Sequence, residues 1–204
     1  MQQTLFGLSK GVNVLPYDGE ALFYPGFLSE TESNDYLKQL QQEYSYKQYM
    51  IRIYDKDVLQ PRLTAFCGDP GKGIEYSEET MNVQPWTSTL RQLKKRVEAV
   101  AGTNFTHALL NLYRDGKDSV SWHRDKERNW GTEPVIASLS MGAARIFQFR
   151  NYEDKSVIRS VELTPGSLLI MKGATQRCWE HQIGKTNKRI GVRLNITFRV
   201  LVQE

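Results

Sequence analysis

Cysteine and histidine are scarce in this 204-residue sequence, and long apolar runs are missing from it. The two cysteines, Cys67 and Cys178, lie far apart and form no C-x-x-C pair, which argues against a zinc ribbon or a disulfide scaffold. The longest apolar runs, such as residues 167–171, have strand length and are too short to cross a bilayer. The first residues lack a basic region followed by an apolar stretch, so no secretory signal is predicted. We therefore expect no membrane association and a cytoplasmic location, or a nuclear one if the source is eukaryotic.

What the sequence does contain fits one compact domain. Hydrophobic residues make up 40% of the chain, and no repeat, low-complexity stretch or Ser/Gly linker divides it. We predict a single domain over residues 1–204 and a monomer. The formal net charge of +4 favours an anionic partner such as nucleic acid, although many basic proteins bind none.

Two helices and eight short strands are predicted from the spacing of apolar residues. Ser29 and Glu32 form a capping box at the start of the first helix, and the second helix covers about 88–101 and ends at Gly102. From residue 105 onward, turn residues separate short apolar runs. This pattern favours an α+β fold, in which an antiparallel sandwich or jelly roll is covered on one face by the two N-terminal helices. The predicted strands are 105–114, 119–123, 134–141, 144–150, 157–163, 167–171, 178–182 and 191–201.

Two of the three histidines occupy positions that suit a metal site. His123 and Asp125 are two residues apart, so their side chains share a face of an extended segment, and His181 lies in a later strand. Two histidines and one carboxylate leave coordination positions open for a co-substrate and oxygen, which is the pattern of non-haem iron oxygenases. An H-x-D triplet also occurs in proteins without a metal, and a lone histidine is more often structural. The triplet by itself therefore leaves both interpretations open.

Polar and apolar residues alternate strictly along the C-terminal strand. Its polar face either meets water, as in an outer strand, or lines the interior of a barrel, where an arginine can bind a carboxylate through two hydrogen bonds. Asn111 and Tyr113 share a face of an earlier strand and would add neutral donors for the same anion. The polar face of the C-terminal strand consists of Arg193, Asn195, Thr197 and Arg199.

The order of these residues resembles the AlkB family of alkylation-damage demethylases. The resemblance covers about residues 60–201 and is closest to the branch that holds the animal DNA- and RNA-repair members. It implies a double-stranded β-helix (jelly roll), with about residues 1–85 as an N-terminal extension with nucleotide-recognition hairpins and about 86–204 as a helix plus the catalytic core. The resemblance is carried by Asn111-x-Tyr113, His123-x-Asp125, His181 and Arg193-x5-Arg199, together with the segments 61–66, 134–140 and 168–171.

This resemblance implies an enzyme that uses Fe(II), 2-oxoglutarate and O2. His123, Asp125 and His181 would be the catalytic iron ligands. Arg193 would pair with the distal carboxylate of 2-oxoglutarate, and Arg199 would lie near the carboxylate that is lost. The implied reaction is oxidative demethylation of bases such as 1-methyladenine and 3-methylcytosine, which releases formaldehyde, succinate and CO2. The full set of 2-oxoglutarate ligands would be Asn111, Tyr113, Arg193, Asn195 and Arg199.

The expected substrate-binding residues are Tyr76, Phe66, Glu127 and Arg62. A base must leave its stack to reach the iron, so the pocket needs a flat aromatic wall, for which Tyr76 is the first candidate and Phe66 the second. Both aromatics suit ordinary packing equally well. Glu127 would accept a hydrogen bond from the methylated base or remain a solvated loop charge, and Arg62 would contact phosphates.

Two other functions are compatible with parts of the pattern. One is an oxygenase that acts on a protein side chain, a lipid or a small molecule; the other is a non-enzymatic jelly-roll binding module that has lost its metal. The basic charge, the match over residues 61–66 and the paired C-terminal arginines favour methylated DNA as the substrate, with RNA left open. Single strands are expected to be preferred, because the sequence shows no obvious aromatic or apolar wedge for invading a duplex. The presence of all three metal ligands argues against the binding module.

Overall fold

The computed structural model describes residues 11–53, 56–69, 82–125, 131 and 133–201. Three helices and fourteen strands lie within these ranges. In chain order they are β1 (Val12–Asn13), β2 (Glu20–Tyr24), α1 (Glu30–Glu43), β3 (Met50–Ile53), β4 (Lys56–Leu59), β5 (Leu63–Gly68), β6 (Val83–Gln84), α2 (Ser88–Ala101), β7 (His107–Tyr113), β8 (Val120–His123), β9 (Ile136–Gly142), β10 (Arg145–Asn151), β11 (Ile158–Leu163), β12 (Leu168–Lys172), α3 (Thr175–Cys178), β13 (Trp179–Ile183) and β14 (Arg193–Arg199).

Two sheets form a sandwich. The larger has the order β1-β2-β12-β9-β14-β7-β5-β6, the smaller has the order β11-β10-β13-β8, and β3 and β4 form a separate hairpin. Every pair is antiparallel except β5 with β6. An apolar core between the two sheets joins residues of β9 and β12 to residues of β10, β11 and β13, including Ile136, Leu169, Phe147, Phe149 and Trp179. This is the jelly roll that the strand pattern predicts.

The two long helices pack on the outer face of the large sheet. The predicted capping box of α1 is confirmed, since Ser29 accepts from the Glu32 backbone and Glu32 accepts from the Ser29 backbone. Helix α2 begins after its cap Thr87 and ends at Gly102, whose φ of 67° is the left-handed conformation that glycine adopts most readily. Buried residues of both helices, among them Leu40, Leu90 and Leu93, contact the sheet and form the second core.

All eight predicted strands are present with shifted ends, whereas none of the six strands β1 to β6 was among the predicted strands. Residues 175–178 form the short helix α3, so the strand predicted to begin at Cys178 begins at Trp179. Strand β2 pairs with β12 and thereby extends the large sheet, although no strand was predicted in that region. In the part of the chain that the structure describes, no helix is both long and apolar enough to cross a membrane.

Candidate metal and co-substrate site

Three side chains with metal-ligating atoms meet at the inner face of the small sheet. His123 on β8 pairs directly across the strands with His181 on β13, and their ring centroids are 4.3 Å apart. Asp125 follows β8 by two residues, and its Oδ1 lies 3.8 Å from His123 Nε2. One ligand atom from each residue falls within 4.8 Å of the other two. The predicted triad is therefore assembled in the fold.

Hydrogen bonding around the triad leaves nitrogen atoms available for a metal. His123 Nδ1 lies 2.8 Å from the Ser121 carbonyl, which directs the ring with Nε2 toward the other two residues. His181 Nδ1 is buried and has no hydrogen-bond partner among the described residues. Buried polar atoms are nearly always paired, so an unpaired imidazole nitrogen beside a second histidine and a carboxylate fits a metal site.

The charge states of the triad also suit metal binding. Burial lowers the pKa of His181 to about 3, so the imidazole is neutral at pH 7, as ligation requires. Burial alone would raise the pKa of Asp125, but the Arg199 guanidinium and the two histidines outweigh it and keep that pKa well below its usual range. Asp125 Oδ2 lies 2.9 Å from Arg199 Nη2. The carboxylate is therefore charged and held in place.

A cavity of about 90 Å³ adjoins the triad. A cavity needs roughly 10–15 Å³ to accommodate one water, so this cavity has room for a ligand several times larger than a water. Strand β14 lies between β7 and β9 in the large sheet, and its polar face points into the cavity rather than into solvent. Beyond the triad, the polar residues that line the cavity are Arg62, Asn111, Tyr113, Ser138, Arg193, Asn195, Thr197 and Arg199.

Arg193 is a buried cation whose hydrogen bonds are incomplete. It is 1% exposed, and its Nη2 donates to Ser140 Oγ at 3.0 Å. Its Nε and Nη1 have no hydrogen-bond partner within the described ranges, and burial lowers its pKa to about 10. The guanidinium carbon lies 5.0 Å from the Tyr113 ring centroid. A buried guanidinium without a carboxylate partner is costly, so Arg193 is built to receive an anion from the cavity.

The side-chain amides of Asn195 and Asn111 differ in how many of their hydrogen-bonding atoms already have partners in the protein. Asn195 donates to Ser138 Oγ at 2.7 Å and to the Leu139 carbonyl, and it accepts from Thr197, so its donors are already used by the protein. Asn195 lines the cavity, and the 2-oxoglutarate-binding role that the resemblance implies for it stays a prediction. Asn111 Oδ1 accepts from Arg62 Nε at 2.8 Å, which turns the Asn111 NH2 group away from Arg62 and leaves it free to donate.

The predicted substrate residues are distributed differently. Arg62 is half-buried, lines the cavity and donates a hydrogen bond to Asn111, and its contact with phosphates stays a prediction. Phe66 is 2% exposed and stacks on His107 at 5.4 Å, in a small cluster behind Leu109. It is not among the residues that line the cavity. Tyr76 and Glu127 lie outside the described residues.

Sequence reasoning missed Gln176, the residue that contacts the backbone of the triad. Its Oε1 accepts a hydrogen bond from Asp125 N at 2.9 Å. Nothing in the local pattern marks this residue, because it lies on a single helical turn fifty-one residues after Asp125. It could have been found only by knowing that the β12–β13 connection returns to the end of β8.

Comparisons with known proteins agree with this geometry. The family model described as the 2OG-Fe(II) oxygenase superfamily matches residues 20–199. The human alpha-ketoglutarate-dependent dioxygenase alkB homolog 3 is 42% identical over 187 residues, which cover 87% of this chain and 65% of the human protein. Human DNA oxidative demethylase ALKBH2 is 31% identical, with 88% of this chain and 72% of that protein covered.

The alkB homolog 3 proteins are longer than the aligned region, since this chain spans slightly less than two thirds of the human, rat, mouse and bovine proteins. A solved structure, OsALKBH1, superimposes with a TM-score of 0.65 at 17% identity and covers 88% of this chain and 97% of that one. At that identity the likeness concerns the fold alone.

Proposed function

Because the chain belongs to the 2OG-Fe(II) oxygenase superfamily and, within it, to the AlkB family, we propose that it oxidatively demethylates N-alkylated bases in nucleic acid. The observation that carries the proposal is a single cavity that contains both a His-Asp-His triad and the incompletely paired cation of Arg193. One group fits a divalent metal, and the other fits the carboxylate of a keto acid such as 2-oxoglutarate.

The triad would hold Fe(II), with His123, Asp125 and His181 as ligands. Bound iron supplies the activation of O2, coupled to decarboxylation of 2-oxoglutarate to succinate and CO2. The protein's own part is binding and orientation. Arg193 would pair with the distal carboxylate of 2-oxoglutarate, and Arg199 would keep the Asp125 carboxylate charged and fixed.

Apolar side chains form the rest of the cavity wall and limit the access of water. A low-polarity wall strengthens the pairing of Arg193 with an anion, because screening by water is reduced. It would also limit contact between solvent and the metal-binding triad. The apolar lining consists of Leu109, Val120, Phe147, Met171 and Ile183.

The proposed substrates are DNA bases of the 1-methyladenine and 3-methylcytosine type, and hydroxylation of the methyl group would release formaldehyde. The name of the ALKBH2 relative specifies DNA, and the net charge of +4 favours a polyanion. We infer that the protein prefers single-stranded substrates and is a monomer that works in the cytoplasm or nucleus. Activity on RNA is a further possibility that the experiment below includes.

A substrate panel tests the proposal. The protein is loaded with Fe(II) and incubated with 2-oxoglutarate and oligonucleotides that each carry one methylated base, as single- and double-stranded DNA and RNA. We expect formaldehyde release and restoration of the unmodified base. His181→Ala should abolish turnover while oligonucleotide affinity stays within about twofold, because the substitution removes only a metal ligand.

The outcomes separate the alternatives. Consumption of 2-oxoglutarate with a protein, lipid or small molecule, but with no oligonucleotide, would assign a different substrate to the same oxygenase. Retained turnover in His181→Ala would show that the triad is not the iron site. Failure of the wild-type protein to bind a divalent metal at all would refute the oxygenase function.

A further inference from the structure

The short helix α3 presents one buried amide to the end of strand β8. Gln176 is 2% exposed, and its Oε1 accepts from the backbone N–H of Asp125 at 2.9 Å. A backbone N–H can only donate, so the atom that faces Asp125 must be the amide oxygen. The contact joins segments fifty-one residues apart in the sequence.

The amide nitrogen of Gln176 also has a partner. Gln176 Nε2 lies 3.5 Å from Met171 Sδ, and Met171 is itself part of the cavity wall. The two contacts together fix which way the amide points. A side chain held at both ends loses little further freedom when its partner binds a ligand, so it can act as a rigid support.

The backbone that carries Gln176 is fixed to the N-terminal strands. Thr175 Oγ1 accepts from the backbone of Glu20 at 2.9 Å and donates to the Lys172 carbonyl at 2.7 Å. On the other side of Gln176, Trp179 Nε1 donates to the Tyr17 carbonyl at 3.1 Å. Helix α3 therefore does not depend on Asp125 for its position, and it can impose a position on Asp125.

We propose that Gln176 is a positioning residue for the metal ligand Asp125; this inference rests on the proposed function, since it assumes that the triad binds iron. Arg199 holds Oδ2 of the Asp125 carboxylate, and Gln176 holds the backbone at the same residue. With both ends fixed, Oδ1 stays on the side of His123 Nε2. Partners that orient metal ligands in this way typically contribute about 10–100-fold to metal affinity.

The test measures metal affinity directly and does not depend on turnover. Metal-free protein is titrated with Co(II), a spectroscopic substitute for Fe(II), and the dissociation constant is read from visible absorption. Gln176→Met keeps the side-chain length but removes the acceptor, and Gln176→Asn keeps the amide but withdraws it by one carbon–carbon bond. We expect each folded variant to bind Co(II) at least about tenfold more weakly, with an altered absorption band.

Thr89→Val is the matched control. Thr89 Oγ1 donates to Glu43 Oε1 at 2.6 Å between α1 and α2, so the variant also loses a partly buried hydrogen bond, but on the far face of the large sheet. Its Co(II) affinity should equal that of the wild type, and thermal unfolding of each metal-free variant checks the fold.

The Co(II) affinities of the variants and the wild type test the positioning role and the proposed function separately. If either folded Gln176 variant binds Co(II) within about twofold of the wild type, the positioning role is wrong. If Thr89→Val weakens Co(II) binding as much as the Gln176 variants do, the effect is one of general stability, and the inference is also wrong. If the wild type itself binds no Co(II), the proposed function fails before the inference is reached.

Discussion

Arg199 and Asp125 form a buried ion pair, with Nη2 2.9 Å from Oδ2 and both side chains 6% exposed. Arg199 lies at the end of β14, the strand that also carries Arg193, whereas Asp125 belongs to the metal triad. The pair therefore joins the candidate anion-binding strand to the candidate metal ligand. A change at either residue should affect both halves of the site.

The first prediction concerns this pair. Arg199→Ala leaves the Asp125 carboxylate buried without its guanidinium partner, and breaking a buried pair from one side costs about 3–5 kcal/mol. We expect a loss of that order in the free energy of unfolding of metal-free protein, measured in urea. Arg199→Lys retains the charge without the planar fork, so its free energy of unfolding should lie between those of the wild type and Arg199→Ala. A loss below about 1 kcal/mol in Arg199→Ala would contradict the prediction.

The second prediction separates two roles for Arg62. Because Arg62 Nε donates to Asn111 Oδ1 at 2.8 Å, Arg62→Met should release the Asn111 amide and weaken 2-oxoglutarate binding by about tenfold. Oligonucleotide affinity should change little. Calorimetric titration with each ligand checks both. Arg91→Met, an exposed change on α2, controls for the lost charge. The opposite result, weaker oligonucleotide binding with unchanged 2-oxoglutarate binding, would contradict this prediction and support the phosphate contact expected from the sequence.

The third prediction concerns pH and the loop before β8. Burial opposes ionisation of Asp118, but hydrogen bonds from the Arg114 side chain and backbone outweigh it and lower the pKa of Asp118. Because the folded pKa lies below the unfolded value of about 3.9, the charged form stabilises the fold above that pH, and this contribution is lost as pH falls through the folded pKa.

Urea unfolding of the wild type and Asp118→Asn at several pH values measures this contribution. Arg114 is about half exposed, so we expect a modest difference of about 1–2 kcal/mol at pH 7, narrowing as the pH falls below about 3.9. Asp35→Asn, an exposed change on α1, should show no such convergence. If the difference in free energy of unfolding between the wild type and Asp118→Asn widens toward low pH, the pKa of Asp118 is raised by folding and the prediction is wrong.

Most of the catalytic half could be predicted from sequence because its information is local. Period-two alternation placed Arg193 and Arg199 on one face of β14, and the same rule paired His123 with Asp125 and Asn111 with Tyr113. The local pattern could not decide whether the polar face of β14 meets water or a cavity. Only the position of β14 between β7 and β9 decides that.

The elements that were missed depend on long-range pairing. Strand β2 joins the large sheet through β12, almost 150 residues later, and its five residues show no alternation of buried and exposed positions that would mark a strand locally. Gln176 and Arg62 act through partners fifty-one and forty-nine residues away, respectively. Their roles follow from tertiary contacts, which neither composition nor periodicity records. The proposed division near residue 85 stays a prediction.

The central position of β14 has a consequence for synthesis on the ribosome. Strands β7 and β9 leave the ribosome well before β14, yet β14 is the strand that fills the gap between them. Until residues 193–199 emerge, two strand edges lie open, and neither arginine is available to the metal ligands or to an anion. A nascent chain at that stage would be exposed to edge-to-edge association and unable to bind its co-substrate. Completion of the sheet and acquisition of ligand binding are therefore one event, which waits for residues 193–199 to emerge.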